Sequence, residues 1–285
     1  MLSSTLKNLF FIIIFALNFT FFGAAKALIP FYYLPSEDIL KKNSLSLARD
    51  AYQLLYFGQI QESLHLAELA VSLNKNNSKL WSLLAEAQIA NKLYDSALSS
   101  IKKGKNIDPK MGELYFTESS IFIKQNKFKE AQDSIKKGLN LKPNNISGIF
   151  QLGNIYLKEK NFEKSLIFFN RALKVNSNFW QAYNNKGLVF FEINNVPLAI
   201  ENFKQAIAIE EEAEPLLALA VCIQDENFKK SILLAKKALS KNPNYVDYQF
   251  REEQLWGQKI QIQTKKLFSS KELKQDIAIA KLFRK

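Results

Sequence analysis

Small residues recur at a fixed interval through most of this chain of 285 residues. One column of the repeat holds only alanine or glycine and reads Ala70, Gly104, Gly138, Ala172, Ala206 and Ala238. The separations are 34, 34, 34, 34 and 32 residues. Alanine and glycine together supply 34 of the 285 residues, so six matches in six places are not chance. A period of this length predicts that one structural unit is stacked repeatedly along the chain.

Further columns predict that each unit is a pair of antiparallel helices. Seven residues before the first column lies a second column of small residues: Ser63, Ala97, Ala131, Ser165, Ala199 and Ser231. Small side chains allow two helix backbones to approach closely. Five residues after the first column, three units have a proline, which ends the second helix: Pro109, Pro143 and Pro243.

Glycine and asparagine separate the two predicted helices of each unit. These residues are Gly58, Asn91, Asn126, Asn161, Asn194, Asn195 and Asn227. Both types tolerate the left-handed backbone conformation of a tight turn. The whole chain has only 9 Gly and 7 Pro, which favours long helices over a turn-rich β fold. We therefore predict an all-α fold.

Residues 1–27 have the pattern of an export signal. Lys7 gives a positive start, residues 9–22 are apolar with two exceptions, and the small-x-small pattern of a signal-peptidase site ends at Ala27. A spanning helix needs about 20 apolar residues, so this shorter stretch favours a cleaved signal peptide. An uncleaved membrane anchor and a buried N-terminal helix stay open as alternatives. We expect an exported or membrane-associated protein, in the periplasm or the thylakoid lumen if the signal is cleaved after Ala27.

The rest of the chain divides around the repeats. Residues 28–43 carry two prolines around three aromatic residues, which predicts an extended junction. Residues 44–245 hold the repeats. Residues 246–285 continue with two amphipathic stretches, for which we predict a capping helix over 246–267 and then a basic amphipathic tail helix. Contact of that tail with an anionic membrane surface or partner is an alternative.

The helix-turn-helix period of 34 resembles the tetratricopeptide repeat (TPR) family, in particular exported or membrane-associated members from cyanobacteria and plastids. Numbered by the family pattern, repeats 1 to 6 are 44–77, 78–111, 112–145, 146–179, 180–213 and 212–245. The bulky fourth position reads Leu47, Trp81, Tyr115, Ile149, Tyr183 and Pro215. The small eighth position reads Ala51, Ala85, Ser119, Gly153, Gly187 and Leu219. The resemblance implies a right-handed α-solenoid whose concave groove binds a partner, usually a protein.

No catalytic or cofactor-binding motif is found. A phosphate-binding loop, a dinucleotide fingerprint and an H-E-x-x-H helix are all missing from the sequence. The single cysteine, Cys222, and the single histidine, His65, exclude an intrachain disulfide and a His/Cys zinc cluster. We expect no enzyme activity, no cofactor and no metal site, with His65 at the surface and Cys222 as a small core residue.

The resemblance places the candidate binding residues on the first helix of each repeat. Asn154 and Asn185 are similar to the asparagine pair with which peptide-binding members of the family hold an extended peptide. A carboxamide offers both a donor and an acceptor, so it can pair with any peptide backbone. The family's carboxylate clamp needs three further basic groups, and Phe150, Ala213 and Leu217 stand there instead. We therefore expect no clamp of that type.

Other candidate groove residues surround the asparagine pair. We expect the groove to present Asn184, Phe116, Phe150, Phe191, Lys124 and Lys158, with Tyr52 and Tyr56 nearer its N-terminal end. Aromatic residues in a concave surface are typical binding anchors. The lysines add positive charge, so the expected ligand is an extended or helical segment with apolar anchors and some acidic residues. An accidental asparagine pair and aromatic residues that only pack between helices stay open.

The formal charge of +12 does not by itself indicate a nucleic-acid partner. The 39 basic residues are 35 Lys and only 4 Arg, whereas paired contacts to phosphates and bases favour arginine. We expect a solvated lysine surface and no nucleic acid.

Taken together, the patterns predict a non-catalytic scaffold or assembly factor that binds a client segment during assembly of a membrane complex. Some of the proteins that this chain resembles assist photosystem assembly. One alternative is a regulatory subunit of a cell-envelope enzyme complex. Another is a nucleic-acid-binding array, which requires a cytoplasmic location. The sequence leaves the ligand, the oligomeric state and the side of the membrane open.

Overall fold

The computed structural model describes residues 35–284. The boundary between two units of the chain falls between Lys41 and Lys42. The predicted signal over 1–27 and most of the predicted junction lie outside the described residues. The end of the junction differs from expectation, because a helix begins at Glu37 rather than after residue 43. Glu37 and Asp38 stand in its first turn, where acidic side chains interact favourably with the helix dipole.

All regular structure in the described residues is helical, as predicted. Twelve helices follow one another in pairs: α1 (Glu37–Tyr56), α2 (Ile60–Leu73), α3 (Ser78–Ala90), α4 (Tyr94–Ile107), α5 (Gly112–Lys124), α6 (Phe128–Leu141), α7 (Ile146–Lys158), α8 (Phe162–Val175), α9 (Trp180–Glu192), α10 (Val196–Ile209), α11 (Ala213–Ile223) and α12 (Phe228–Lys241). The C-terminal part adds α13 (Tyr248–Glu253), α14 (Gln258–Phe268) and α15 (Lys274–Phe283), with 3-10 turns over Pro243–Val246 and Lys271–Leu273. The all-α solenoid expected from the period is confirmed.

Both columns of small residues lie where helices meet, and all twelve of their members are buried. Three of the repeats have serine instead of alanine in the second column. The hydroxyl of each then donates to a backbone carbonyl of the first helix: Ser63 to Ala51 at 2.7 Å, Ser165 to Gly153 at 2.9 Å and Ser231 to Ala220 at 2.7 Å. A serine is therefore tolerated in this buried column because its polar group is satisfied.

Turns with a positive φ recur every 34 residues between the two helices of repeats 1 to 5. They fall on Gly58, Lys92, Asn126, Lys160 and Asn194. The prediction was wrong at Asn227 in repeat 6, whose φ is −139°. It was also wrong at Asn91 and Asn161, which lie one residue to either side of the residue with positive φ. The side chains of Asn161 and Asn91 form hydrogen bonds instead. Asn161 caps α8 by accepting from Lys164 N, and Asn91 donates to the Ile60 carbonyl. The repeat therefore sets the position of the residue with positive φ, whichever residue type stands there.

The last helix covers the end of the array. α15 packs against α12 and the Pro243–Val246 turn, and its buried face includes Ala280 next to the buried Leu273. Ion pairs at the rim, Lys236 with Asp276 at 3.2 Å and Arg284 with Asp247 at 3.0 Å, hold the same contact. No helix within residues 35–284 is both long and apolar enough to cross a bilayer.

Candidate functional site

The first helices of successive repeats line one face of the solenoid. α3, α5, α7, α9 and α11 contact one another in that order, in addition to their own second helices. We call this surface the concave face. It carries the residues at the groove positions predicted from the repeat pattern, and its two ends differ sharply in what covers them.

The three predicted asparagines form one hydrogen-bonded chain across α7 and α9. Asn184 Nδ2 donates to Asn185 Oδ1 at 3.0 Å, and Asn185 Nδ2 donates to Asn154 Oδ1 at 2.8 Å. Asn184 and Asn185 are buried, while Asn154 is partly exposed. The pair expected to hold a peptide is therefore bonded to itself. Asn154 Nδ2 makes no hydrogen bond within the described residues, so it is the amide donor that this chain leaves for a ligand.

An open cavity of about 330 Å³ lies between α3, α5 and α7. We call it the polar cavity. Its lining consists of Glu86, Ile89, Glu113, Phe116, Thr117, Ser120, Asn145, Ser147 and Gln151. Gln151 bridges α7 to α5, because its Oε1 accepts from the Ser119 hydroxyl at 2.9 Å and its Nε2 donates to Ser120 Oγ at 3.4 Å. The cavity thus offers hydroxyl and amide groups over a small apolar base.

The charges in this cavity are negative rather than positive. Glu113 forms an ion pair with Lys142, whereas Glu86 has no ion pair among the described residues. Burial raises the pKa of the Glu86 carboxyl, and a hydrogen bond from Ser82 opposes that shift. Lys124 is exposed and lies outside this lining. No lysine or arginine lines this cavity, so the acidic ligand expected from the lysines finds no positively charged side chain in the lining.

The predicted aromatic anchors are mostly packed into the fold. Phe116 is 7% exposed, and its ring fills the space left by Gly138 and Gly148, where added Cβ atoms would lie 2.6 and 2.3 Å from it. Phe150 packs against Phe169 and Phe179, with ring centroids 5.6 and 5.0 Å away. Phe116 nevertheless lines the polar cavity with the small part of its surface that is exposed. These contacts match the packing role that the sequence left open.

The predicted residues near the N-terminal end are the exposed ones. Tyr52 is 60% exposed and Tyr56 is 79% exposed, both on α1, and the Tyr56 ring lies edge-on to Phe57.

His65 and Cys222 were expected to have no functional role. His65 is exposed beside Glu68. Cys222 is partly buried, and this burial raises the pKa of its thiol. A raised thiol pKa makes the thiolate scarce and the cysteine unreactive.

The C-terminal segment, residues 246–284, covers the concave face of repeats 5 and 6. The sequence did not indicate this contact. Its apolar stripe was assigned to the end of the array, yet α14 packs against α9 and α11, and α15 covers the end instead. Ile260 and Leu267 of α14 are buried in the same core as Leu188 and Leu217. At the groove position where repeats 2 to 4 have Glu86, Ser120 and Asn154, α9 and α11 have the apolar Leu188 and Ala220. A helix with an apolar stripe buries that surface.

Polar contacts fix this segment in place. Glu192, at the end of α9, accepts from Ile260 N at 3.1 Å and thereby caps the first turn of α14. Trp256 is 3% exposed, and its Nε1 donates to Glu214 Oε1 at 3.0 Å. Burial raises the pKa of Glu214, while hydrogen bonds, first of all that from Trp256, act in the opposite direction. The segment is thus an integral part of the concave face.

A buried arginine holds the segment together from within. Arg251 Nε donates to Gln261 Oε1 at 2.8 Å, and its Nη1 donates to the Tyr245 carbonyl at 2.6 Å. Its guanidinium lies 5.3 Å from the Phe268 ring centroid. Burial lowers the pKa of Arg251 to about 10. Sequence reasoning missed this residue, although it is one of only four arginines in the chain.

Where the segment meets repeat 4, it leaves a cavity of about 610 Å³. Leu157, Lys158, Lys160, Leu255 and Trp256 are among its lining residues. Phe191 is buried, and lines a separate cavity beside Cys222 and α14. Thus Lys158 and Phe191 lie next to the C-terminal segment, while Phe116 lies in the polar cavity. Among the described residues, no three His, Cys, Asp or Glu side chains are grouped so that they could hold a metal ion.

Comparison with known proteins identifies the repeat type. The family model described as tetratricopeptide repeat matches residues 112–145 and 146–179. No curated protein sequence matches the chain. Among solved structures, the chain is similar to Pseudomonas aeruginosa PilF, with 13% identity and a TM-score of 0.62 over 76% of this chain and 98% of that one.

Two more solved structures show the same fold. The type IV pilus biogenesis factor PilW has 17% identity and a TM-score of 0.62, over 74% of this chain and 98% of that one. A chain of the Cut9–Hcn1 complex has 14% identity and a TM-score of 0.64, over 76% of this chain and 45% of that one. At these identities the likeness establishes the helical-repeat architecture.

Proposed function

Because this chain contains tetratricopeptide repeats, we propose that it is a non-catalytic scaffold. The concave face of repeats 2 to 4 binds a segment of its partner protein. The observation that carries the proposal is the contrast between the two ends of this face. α14 covers repeats 5 and 6, whereas no described residue covers the polar cavity between α3, α5 and α7. Stacked helix pairs use such surfaces for binding.

The chemistry of the open part supports an extended segment as the ligand. An extended backbone has peptide N–H and C=O groups that need partners, and side-chain hydroxyls and amides supply them. Ser147 is exposed on the rim of the cavity, and Asn154 Nδ2 points out of the asparagine chain without a partner among residues 35–284. A helix would instead need an apolar strip, like the one that α14 already covers.

A steric block tests this proposal. Ser147→Trp places a large side chain at the cavity, and Asn140→Trp places the same side chain on an exposed position of the second helix of repeat 3. In affinity purification from detergent-solubilised membranes, we expect partners recovered with the wild type and with Asn140→Trp to be lost with Ser147→Trp. Equal recovery with all three proteins would show that the partner does not bind at this part of the concave face.

The finer role that we propose is assembly of a membrane complex by an exported or membrane-tethered scaffold. It is supported by the signal pattern over residues 1–27 together with a binding face in the body of the chain. N-terminal sequencing of the protein from its own cells tests the location. A start at Leu28 supports export with cleavage, and a soluble cytoplasmic protein that starts at Met1 contradicts it. Copurification with a transferase or hydrolase would favour the alternative, a regulatory subunit of a cell-envelope enzyme complex.

A further inference from the structure

The polar cavity contains a carboxylate that forms no ion pair with any of residues 35–284. Glu86 lies on α3, partly exposed, at one wall of the cavity. None of the nine lining residues is Lys or Arg. The other carboxylate of the lining, Glu113, is already paired with Lys142. Within the described part of the chain, Glu86 accepts a hydrogen bond from Ser82 and has no charged partner.

The chain has 39 basic against 27 acidic residues, yet no lysine or arginine among residues 35–284 forms an ion pair with this partly buried carboxylate. Lysines are paired with carboxylates elsewhere, as in Lys105 with Glu118 at 2.7 Å on the neighbouring helices α4 and α5. A partly desolvated carboxylate without a counter-charge costs free energy, which a cation brought by a ligand would offset. The raised pKa of Glu86 has the same cause.

The groups around Glu86 suit the rest of such a ligand. Ile89 and Phe116 give an apolar base on which the methylene groups of a long basic side chain can lie. Ser120, Ser147 and Gln151 offer hydroxyl and amide groups that can pair with the backbone of such a ligand. Charge and polarity therefore agree on one ligand class.

We propose that the polar cavity binds an extended protein segment through a lysine or arginine side chain whose cationic group pairs with Glu86. This inference rests on the proposed function, since it names the ligand chemistry of the same face. It replaces the acidic segment expected from the sequence with a basic one at this position.

Selection of peptides from a random nonamer library displayed on phage tests the inference, with the full-length chain as bait. We expect peptides enriched in Lys or Arg at one position. Because a hydrogen bond to a charged group contributes more than a neutral one, Glu86→Gln should weaken the selected peptides by about tenfold to a hundredfold. Glu62→Gln, an exposed carboxylate on α2, should leave their binding unchanged. Glu86→Lys should select peptides with Asp or Glu at that position.

Different outcomes would overturn the pairing of a basic side chain with Glu86 and the binding of a partner in the groove. If peptides bind, and Ser147→Trp abolishes their binding, but no basic position is enriched, the inference about Glu86 is wrong and the groove function stands. If no selected peptide depends on Ser147, the proposed function itself fails. Retained helical circular dichroism in Glu86→Gln and Glu86→Lys shows that changed binding does not come from unfolding.

Discussion

Asn185 donates its side-chain amide to the side-chain oxygen of Asn154 at 2.8 Å, and thereby joins the first helices of repeats 4 and 5. Asn185 is buried and receives a further hydrogen bond from Asn184. The asparagine nearer the open groove is thus held in position by the one behind it. This orientation leaves the Asn154 amide nitrogen directed away from its partner, where a ligand carbonyl can accept from it.

Replacing Asn185 should therefore destabilise the fold, while replacing Asn154 should mainly affect binding. Asn185→Ala leaves the amides of Asn154 and Asn184 without their buried partner, so we expect the free energy of unfolding to fall by about 1–3 kcal/mol. Asn154→Ala should cost less, because its site is partly exposed. Urea unfolding followed by circular dichroism measures both. Equal losses of unfolding free energy in the two variants would contradict the central place of Asn185 among the three hydrogen-bonded asparagines.

Glu86 should make stability depend on pH. Burial raises its folded-state pKa above the ordinary value of 4.5, so the folded protein binds more protons than the unfolded chain between the two values. Its contribution to stability therefore falls as the pH rises from about 4.5 through the raised pKa. Glu86→Gln removes this term, so it should gain stability relative to the wild type at pH 7.5 but not at pH 4. A difference between the two proteins that does not change with pH would refute the shift.

The C-terminal segment should depend on Trp256. Its side chain is buried against the concave face of repeats 5 and 6, so Trp256→Ala leaves a large cavity and removes the hydrogen bond to Glu214. We expect the free energy of unfolding to fall by about 3–5 kcal/mol. Tyr248→Ala, at an exposed aromatic of the same segment, should change it by less than about 0.5 kcal/mol. A Trp256→Ala variant with wild-type stability would show that the segment is not held on this face.

Gly187 should tolerate no larger residue while Phe203 is present. A Cβ atom at Gly187 would lie 2.5 Å from the Phe203 ring, so we expect Gly187→Ala to lower the free energy of unfolding by about 1–3 kcal/mol despite the better helix propensity of alanine. Combining it with Phe203→Leu should recover part of the loss, which a double-mutant cycle measures. Gly112→Ala is the control, since its nearest contact is the flexible Lys142 side chain at 3.1 Å. Strict additivity of the pair would argue against the contact.

The repeat pattern was sufficient to predict the helix pairs, because small residues at a spacing of 34 are a direct consequence of close helix contacts. It did not locate the left-handed residue, since the turn's register places Lys92 and Lys160 there although an asparagine stands beside each. The apolar stripe of Ile260 and Leu267 was visible in the sequence, but the surface that it covers was not. Periodicity reports that a face is buried, and only the tertiary structure shows against what.

The candidate site was predictable by position and not by chemistry. The groove positions of repeats 3 to 5 gave Asn154 and Asn185, but their mutual hydrogen bond depends on the distance between α7 and α9. Phe116 was expected as an exposed anchor, whereas glycines of repeats 3 and 4 provide the space in which its ring is buried. Glu86 was overlooked, because a carboxylate on a helix of a lysine-rich chain gives no sign in the sequence of being unpaired.

Site-specific photocrosslinking shows inside the cell whether a partner lies on the open concave face. Benzoylphenylalanine is placed at Ser147 in the polar cavity or at Asn140 on the second helix of repeat 3, and the protein is irradiated in its own cells. We expect a defined crosslinked partner from position 147 that is missing from position 140. The same crosslinked partner from position 140 and none from position 147 would show that the partner binds outside the concave face.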